Sequence, residues 1–65
     1  MKQGQKFINK KNKEIELTIR EVDETNYAFV DITNITVIGY LGEVSTGTLS
    51  THILKSEIET DYNPI

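Results

Sequence analysis

Residues 14–20 alternate apolar and polar side chains with a period of two. The odd positions from Ile15 to Ile19 are apolar, and the even positions from Glu16 to Arg20 are polar. Because successive side chains of a strand point to opposite faces, this pattern predicts an antiparallel strand with one buried and one solvated face. Val22 breaks the parity, which predicts either a β-bulge near Arg20 and Glu21 or a bend that moves the strand to another face.

The same kind of pattern predicts the remaining elements. Further strands are expected around residues 7–8, 27–32 and 35–41, with turns at 9–13, 23–26 and 33–34. A short helix capped by Ser50 or Thr51 is expected at about 51–57, followed by a closing edge strand at about 57–62. This order predicts a mostly β fold: a small antiparallel barrel of about five strands, with one short helix before the last strand, in a single domain of residues 1–65.

Composition supports a β protein with a small core. Ile, Val and Thr, which suit a pleated surface, make up 21 of the 65 residues, whereas Ala occurs once. There is no cysteine to form a disulfide, and a chain this short buries only roughly 60% of its unfolded surface, so packing and self-association are the expected sources of stability. Neither an apolar membrane span nor a signal-peptide pattern is present in the sequence, which predicts a cytoplasmic protein.

Charge is divided unevenly along the chain. Residues 1–13 carry five lysines and no acid, whereas residues 14–65 carry ten acids against one arginine and one lysine, so the segments have charges of +5 and −8. The acidic surface would repel a phosphate backbone, which argues against nucleic acid as a partner. Opposite charges on the two segments favour head-to-tail contacts between copies.

The fourth predicted strand, at about 35–41, is apolar on both faces. Ile35, Val37 and Leu41 share one parity, while Ile38 and Tyr40 share the other. A barrel strand has one inner face, taken here by Ile35 and Val37. Its other face, with Ile38 and Tyr40, must be covered by the helix, by a second copy or by a partner protein. The sequence therefore predicts an interface in this strand and the loop beside it, at Ile38, Tyr40, Leu41 and Val44.

The arrangement also resembles a known family type. Gly4-x-x-Phe7, two hairpin strands, Tyr27-x-Phe29 and then Leu49-Ser50-Thr51-x-x-Leu54-x-x-x-Ile58 are similar to the small SH3-like barrels encoded by bacteriophages and other mobile elements. In those barrels a last helical turn, opening with Ser or Thr, plugs one end. The resemblance implies an SH3-like fold, and a phage-type origin would imply a protein that controls a host protein. Residues 33–47 depart from the pattern, because this stretch is longer and more apolar than such barrels usually need.

A second candidate site is basic. Lys10, Lys11 and Lys13 share one predicted turn, and with Arg20 and Tyr27 they could hold a small anionic ligand such as a nucleotide between copies. The alternative interpretation is a charged, solvated hairpin tip, with the aromatic ring packed in the core.

The remaining candidate sites are a lone histidine and a row of carboxylates. His52 is the only histidine and has no cysteine or second histidine to join it in a metal site, so it is interpreted as a surface or helix-start residue. Glu57, Glu59 and Asp61 would line one face of a closing strand, where they could hold a divalent cation but more often form a solvated edge. No catalytic residue, metal site or cofactor is predicted.

The sequence therefore favours a non-enzymatic interaction module that self-associates or docks on a host protein. The alternative is an oligomer that sequesters a small anionic ligand. A nucleic-acid-binding barrel is disfavoured by charge, and an enzyme is disfavoured because no acid/base pair or nucleophile dyad stands out.

Overall fold

The computed structural model describes residues 1–65, which form one five-stranded antiparallel sheet and one helix. In chain order the elements are β1 (Lys6–Asn9), β2 (Glu16–Val22), β3 (Tyr27–Ile38), β4 (Val44–Leu54), α1 (Lys55–Asp61) and β5 (Tyr62–Pro64). The strand order is β4-β3-β2-β1-β5, so β1 to β4 form a meander and β5 returns to pair with β1. The predicted mostly β class, with five strands and a short helix before the last, is confirmed. The edges β4 and β5 do not pair with each other, so the sheet is open.

The core lies on one face of the sheet and is thin. The alternation in β2 places Leu17 and Ile19 inward, as predicted, with 0% and 1% of their surface exposed. Ile58 of α1 packs on the same face and is fully buried. Seven residues make up the buried core: Phe7, Leu17, Ile19, Ala28, Val30, Ile32 and Ile58.

The bulge predicted in β2 is confirmed. Ile19 pairs with Val30, whereas Glu21 pairs with Phe29, so Arg20 is an extra residue in the ladder. Such an insertion bends a strand and increases its twist. It also explains why Val22 has the opposite parity from Ile19.

The predicted connection at Thr33–Asn34 is wrong, because β3 continues through it to Ile38. The pairing shifts here instead: Ile32 lies opposite Leu49, and the next pair is Ile35 with Gly47. Asn34 has a φ of 61°, which Asn tolerates better than most residues, and its side-chain amide donates a 2.7 Å hydrogen bond to the Glu14 carbonyl. A residue typical of turns therefore forms a second bulge within one long strand.

The helix also lies elsewhere than predicted. Residues 51–54 belong to β4, and α1 begins at Lys55 with Leu54 at its N-cap and no side-chain cap. Thr51 pairs with Val30 in the ladder, and the Ser50 hydroxyl donates to the Asp31 carboxylate, so neither residue caps the helix. The acids predicted to line a closing strand lie on α1, and β5 begins only at Tyr62.

We expect Ile58→Ala to lower the free energy of unfolding by about 2–5 kcal/mol, because it leaves a cavity where α1 meets the sheet. Urea denaturation at low protein concentration measures the change. Ile38→Ala is the matched control: Ile38 is 73% exposed, so we expect less than about 0.5 kcal/mol there. Equal losses in the two variants would contradict this assignment of the core.

Candidate functional site

Beyond the bulge at Asn34, β3 and β4 leave the body of the sheet as a two-stranded ribbon. Residues 35–38 pair with residues 44–47, and we call residues 35–47 the arm. The molecule measures 40 × 21 × 18 Å and has a radius of gyration of 12.5 Å. A compact 65-residue domain would have a radius of gyration of about 10.7 Å. The chain is therefore elongated.

A tight turn closes the arm. The Gly39 N–H donates to the Glu43 carbonyl at 2.7 Å, and the Gly39 carbonyl accepts from the Gly42 N–H at 3.0 Å. Gly42 has a φ of 83°, the left-handed conformation that favours glycine. These features define a three-residue hairpin loop with Gly at its last position. The loop holds Tyr40 and Leu41 at the end of the arm.

The four residues predicted as an interface lie together at this end, and we call them the apolar tip. Tyr40 is 100% exposed, Leu41 86%, Ile38 73% and Val44 69%. Ile38 and Val44 face each other across the ribbon, directly beside the loop. Most of the surface of these four side chains is therefore in contact with water, and the tip is a small exposed apolar surface.

Val37 is a further exposed apolar residue that the sequence pattern misplaced. Its parity matches that of Ile35, which packs against the core, so the pattern predicted that Val37 also faces inward. In the structure Val37 is half exposed, because beyond Ile35 the arm extends past the core. Sequence parity gives the face of a strand but not whether anything covers that face.

The basic residues of the second candidate site are divided between the two ends of β2. Lys10 and Lys11 line a shallow cavity of about 270 Å³ beside Glu57 and Asp61, whose carboxylates oppose an anion there. Lys13 belongs to the same turn, before β2 begins. Arg20 lies four residues beyond Glu16, about 13 Å further along the strand.

Arg20 takes part in a cluster on the outer face of the sheet. Its guanidinium lies 3.6 Å from the Asp31 carboxylate and 5.4 Å from the centre of the Phe29 ring. The Phe29 ring in turn contacts the ring of His52 with 4.8 Å between centroids. Both charged groups are partly solvated, so the ion pair contributes little stability. The positive charge of Arg20 is already engaged within one copy.

An open depression of about 670 Å³ lies next to this cluster, at the same end of the sheet. Tyr27 and His52 line it together with the turn residues Glu24, Thr25 and Asn26. Tyr27 is therefore exposed in this depression, at the opposite end of β2 from the lysine turn. The five residues predicted to bind an anionic ligand do not lie together within a single copy.

No group of three or more His, Asp or Glu side chains is placed to hold a metal ion. Glu57, Glu59 and Asp61 are all exposed on α1. The helix lacks the length and apolar character that a membrane span requires.

We expect the β2–β3 turn to weaken in acid. The Thr25 hydroxyl and backbone N–H both donate to the Asp23 carboxylate, and these bonds lower the pKa of Asp23. A lowered folded-state pKa means that the unfolded chain binds more protons, so this contribution is present above the unfolded pKa and is lost as pH falls through the folded one. The free energy of unfolding should therefore decrease as pH falls below about 5, and Asp23→Ala should make this dependence on pH less steep. An unchanged slope in that variant would contradict the assignment.

No protein-family model matches the chain, and comparison with curated proteins and with solved structures gave no match. The likeness to phage-encoded barrels stays a prediction from the sequence. The features of the molecule that bear on its function are the arm, the free edges of the sheet and the distribution of charge.

Proposed function

We propose that the protein is a non-enzymatic interaction module that self-associates through the arm. The observation that carries the proposal is the apolar tip, with four neighbouring side chains that are 69–100% exposed. Burying a side chain such as Leu or Ile stabilises by roughly 1.5–3 kcal/mol. Burial of this tip against a second copy would therefore supply much of the free energy of a specific contact.

The size of the molecular surface supports self-association. The chain exposes 4833 Å², against about 4,200 Å² expected for a compact monomer of its mass. The excess, about 600 Å², approaches the roughly 800 Å² that each partner buries in a standard interface. An arm that is solvated in the monomer and covered in a complex accounts for this excess.

The thin core supports the same proposal. Only seven residues are buried, and none of them belongs to the arm. Small domains without disulfides or structural metals commonly gain stability by oligomerising. A second copy on the arm would add apolar contacts at the tip, where the single chain leaves four apolar side chains exposed.

The proposal includes a partly open SH3-like barrel as the fold. In support, α1 contacts both β4 and β5, the two edges that a closed barrel would join. Its Ile58 belongs to the buried core. In such a barrel α1 would connect β4 to β5 and leave the backbone edge of β4 unpaired. A phage-type module that docks on a host protein would present the same tip, so a host protein is the competing occupant.

We expect Ile38→Glu to weaken self-association at least about tenfold while leaving the fold intact, since a buried carboxylate at the tip costs well over 1.4 kcal/mol. Sedimentation or light scattering across a concentration series measures the oligomer, and circular dichroism reports on the fold. Ser56→Glu, which adds the same charge on exposed α1, is the matched control and should associate like the natural protein.

Two results would overturn the proposal. A natural protein that stays monomeric throughout the series would exclude self-association and leave the host protein as occupant of the tip. A variant that unfolds would show that Ile38 belongs to the core.

A further inference from the structure

The two edges of the sheet differ in how they are protected. β5 has three residues and contains Pro64, which offers no N–H to a further strand. β4 has eleven residues, about 36 Å of strand, and contains no Lys, Arg, Asp, Glu or Pro between Val44 and Leu54. Natural proteins usually block an exposed edge with charge, proline or a short length, because unpaired backbone groups recruit other strands. β4 uses none of these devices.

The hydrogen bonds of the arm show which backbone groups of β4 are free. The hydrogen bond from the Gly39 N–H to the Glu43 carbonyl begins the ladder. From there, residue pairs joined by backbone hydrogen bonds alternate with pairs that are not. Val37 and Ser45 are therefore a bonded pair, while Val44 and Thr46 belong to non-bonded pairs. The N–H groups of Val44 and Thr46 consequently point away from β3, towards the open edge.

We propose that β4 pairs antiparallel with β4 of a second copy, centred on Leu49, to form a continuous ten-stranded sheet. The proposal rests on the proposed self-association and adds its geometry. Leu49 is the middle residue of β4, so full overlap of the two strands places it on the twofold axis. Pairing along the strands would satisfy the free N–H groups of both arms.

Charge favours a second copy as the occupant of this edge. In a twofold antiparallel pair each strand meets itself, so charged side chains near the axis would face their own copies and repel. β4 has no Asp, Glu, Lys or Arg and avoids this conflict. Leu49 is 51% exposed, and on the axis it would contact the Leu49 side chain of the partner. The edge is therefore complementary to itself.

Full overlap also gives the apolar tip a place to dock. Val44 would lie opposite the partner's Leu54, because their positions are equally far from Leu49. Leu54 pairs with Tyr27 in the sheet, at the end where Tyr27 and His52 line the open depression. The arm of each copy would then run along the body of the other, towards that depression. A single twofold-symmetric contact would thus cover both the edge and the tip. Because such a contact is complete with two copies, it prevents open-ended assembly.

Amide hydrogen exchange tests the pairing directly. We expect exchange at Val44 and Thr46 to slow at least about tenfold as protein concentration rises about a hundredfold through the association range. The Ser45 amide, which is bonded to β3, is the internal control and should be protected at every concentration. Light scattering on the same samples records whether the dimer forms.

A pair of substitutions at one position gives an independent test. Thr46→Pro removes an outward N–H without removing a β3–β4 hydrogen bond, and we expect it to raise the dissociation constant at least about tenfold. Thr46→Ala keeps the N–H and should dimerise normally. Circular dichroism establishes that both variants keep the sheet.

The outcomes separate the two proposals. A dimer whose Val44 and Thr46 amides still exchange fast, or a folded Thr46→Pro variant that dimerises normally, would overturn strand pairing and leave self-association through the tip in place. Absence of any dimer would overturn both. If Thr46→Pro unfolds, the exchange measurement on the natural protein decides.

Discussion

The antiparallel ladder between β3 and β4 is the constraint on which the rest of the structure depends. It begins at Tyr27 and Leu54 in the body and ends at Ile38 and Val44 in the arm. Within the body it holds Ala28 and Val30 in the core, and beyond Ile35 it continues with Val37 and Ile38 exposed. One ladder therefore stabilises the domain and also produces its most exposed apolar surface.

A thin core and an exposed arm are two consequences of one small chain. Of the residues that build the arm, only Ile35 packs against the core, and the buried cluster has seven residues. Stability of a few kcal/mol is typical of small domains, and a solvated apolar tip contributes nothing to it. Burial between copies would make the same residues stabilising. The proposed pairing of β4 is consistent with this, because it adds contacts at an edge that lacks charge and proline.

Local patterns were reliable where burial on one face enforced them. The alternation in β2 predicted its inward residues and its bulge at Arg20, because a parity error there would expose the core. Local patterns failed where pairing between residues distant in the sequence decided which element a residue joined. Asn34 has the chemistry of a turn but lies in a bulge, and Thr51 has the chemistry of a helix cap but pairs with Val30. The interface predicted at the four tip residues stays a prediction. The separation of Arg20 from the lysine turn depends on the length of β2, which the local pattern did not translate into a distance.

The sequence alone determined the β class, the faces of β2 and the unusual apolar character of residues 35–41, because each follows from local side-chain periodicity. Only the tertiary structure decided that those residues extend past the body and that β4 is a free edge. Periodicity records which face a side chain takes, but it holds no information on how far a strand projects or on which neighbour lies beside it. Those properties arise from the register between β3 and β4, which is set by contacts between residues distant in the chain.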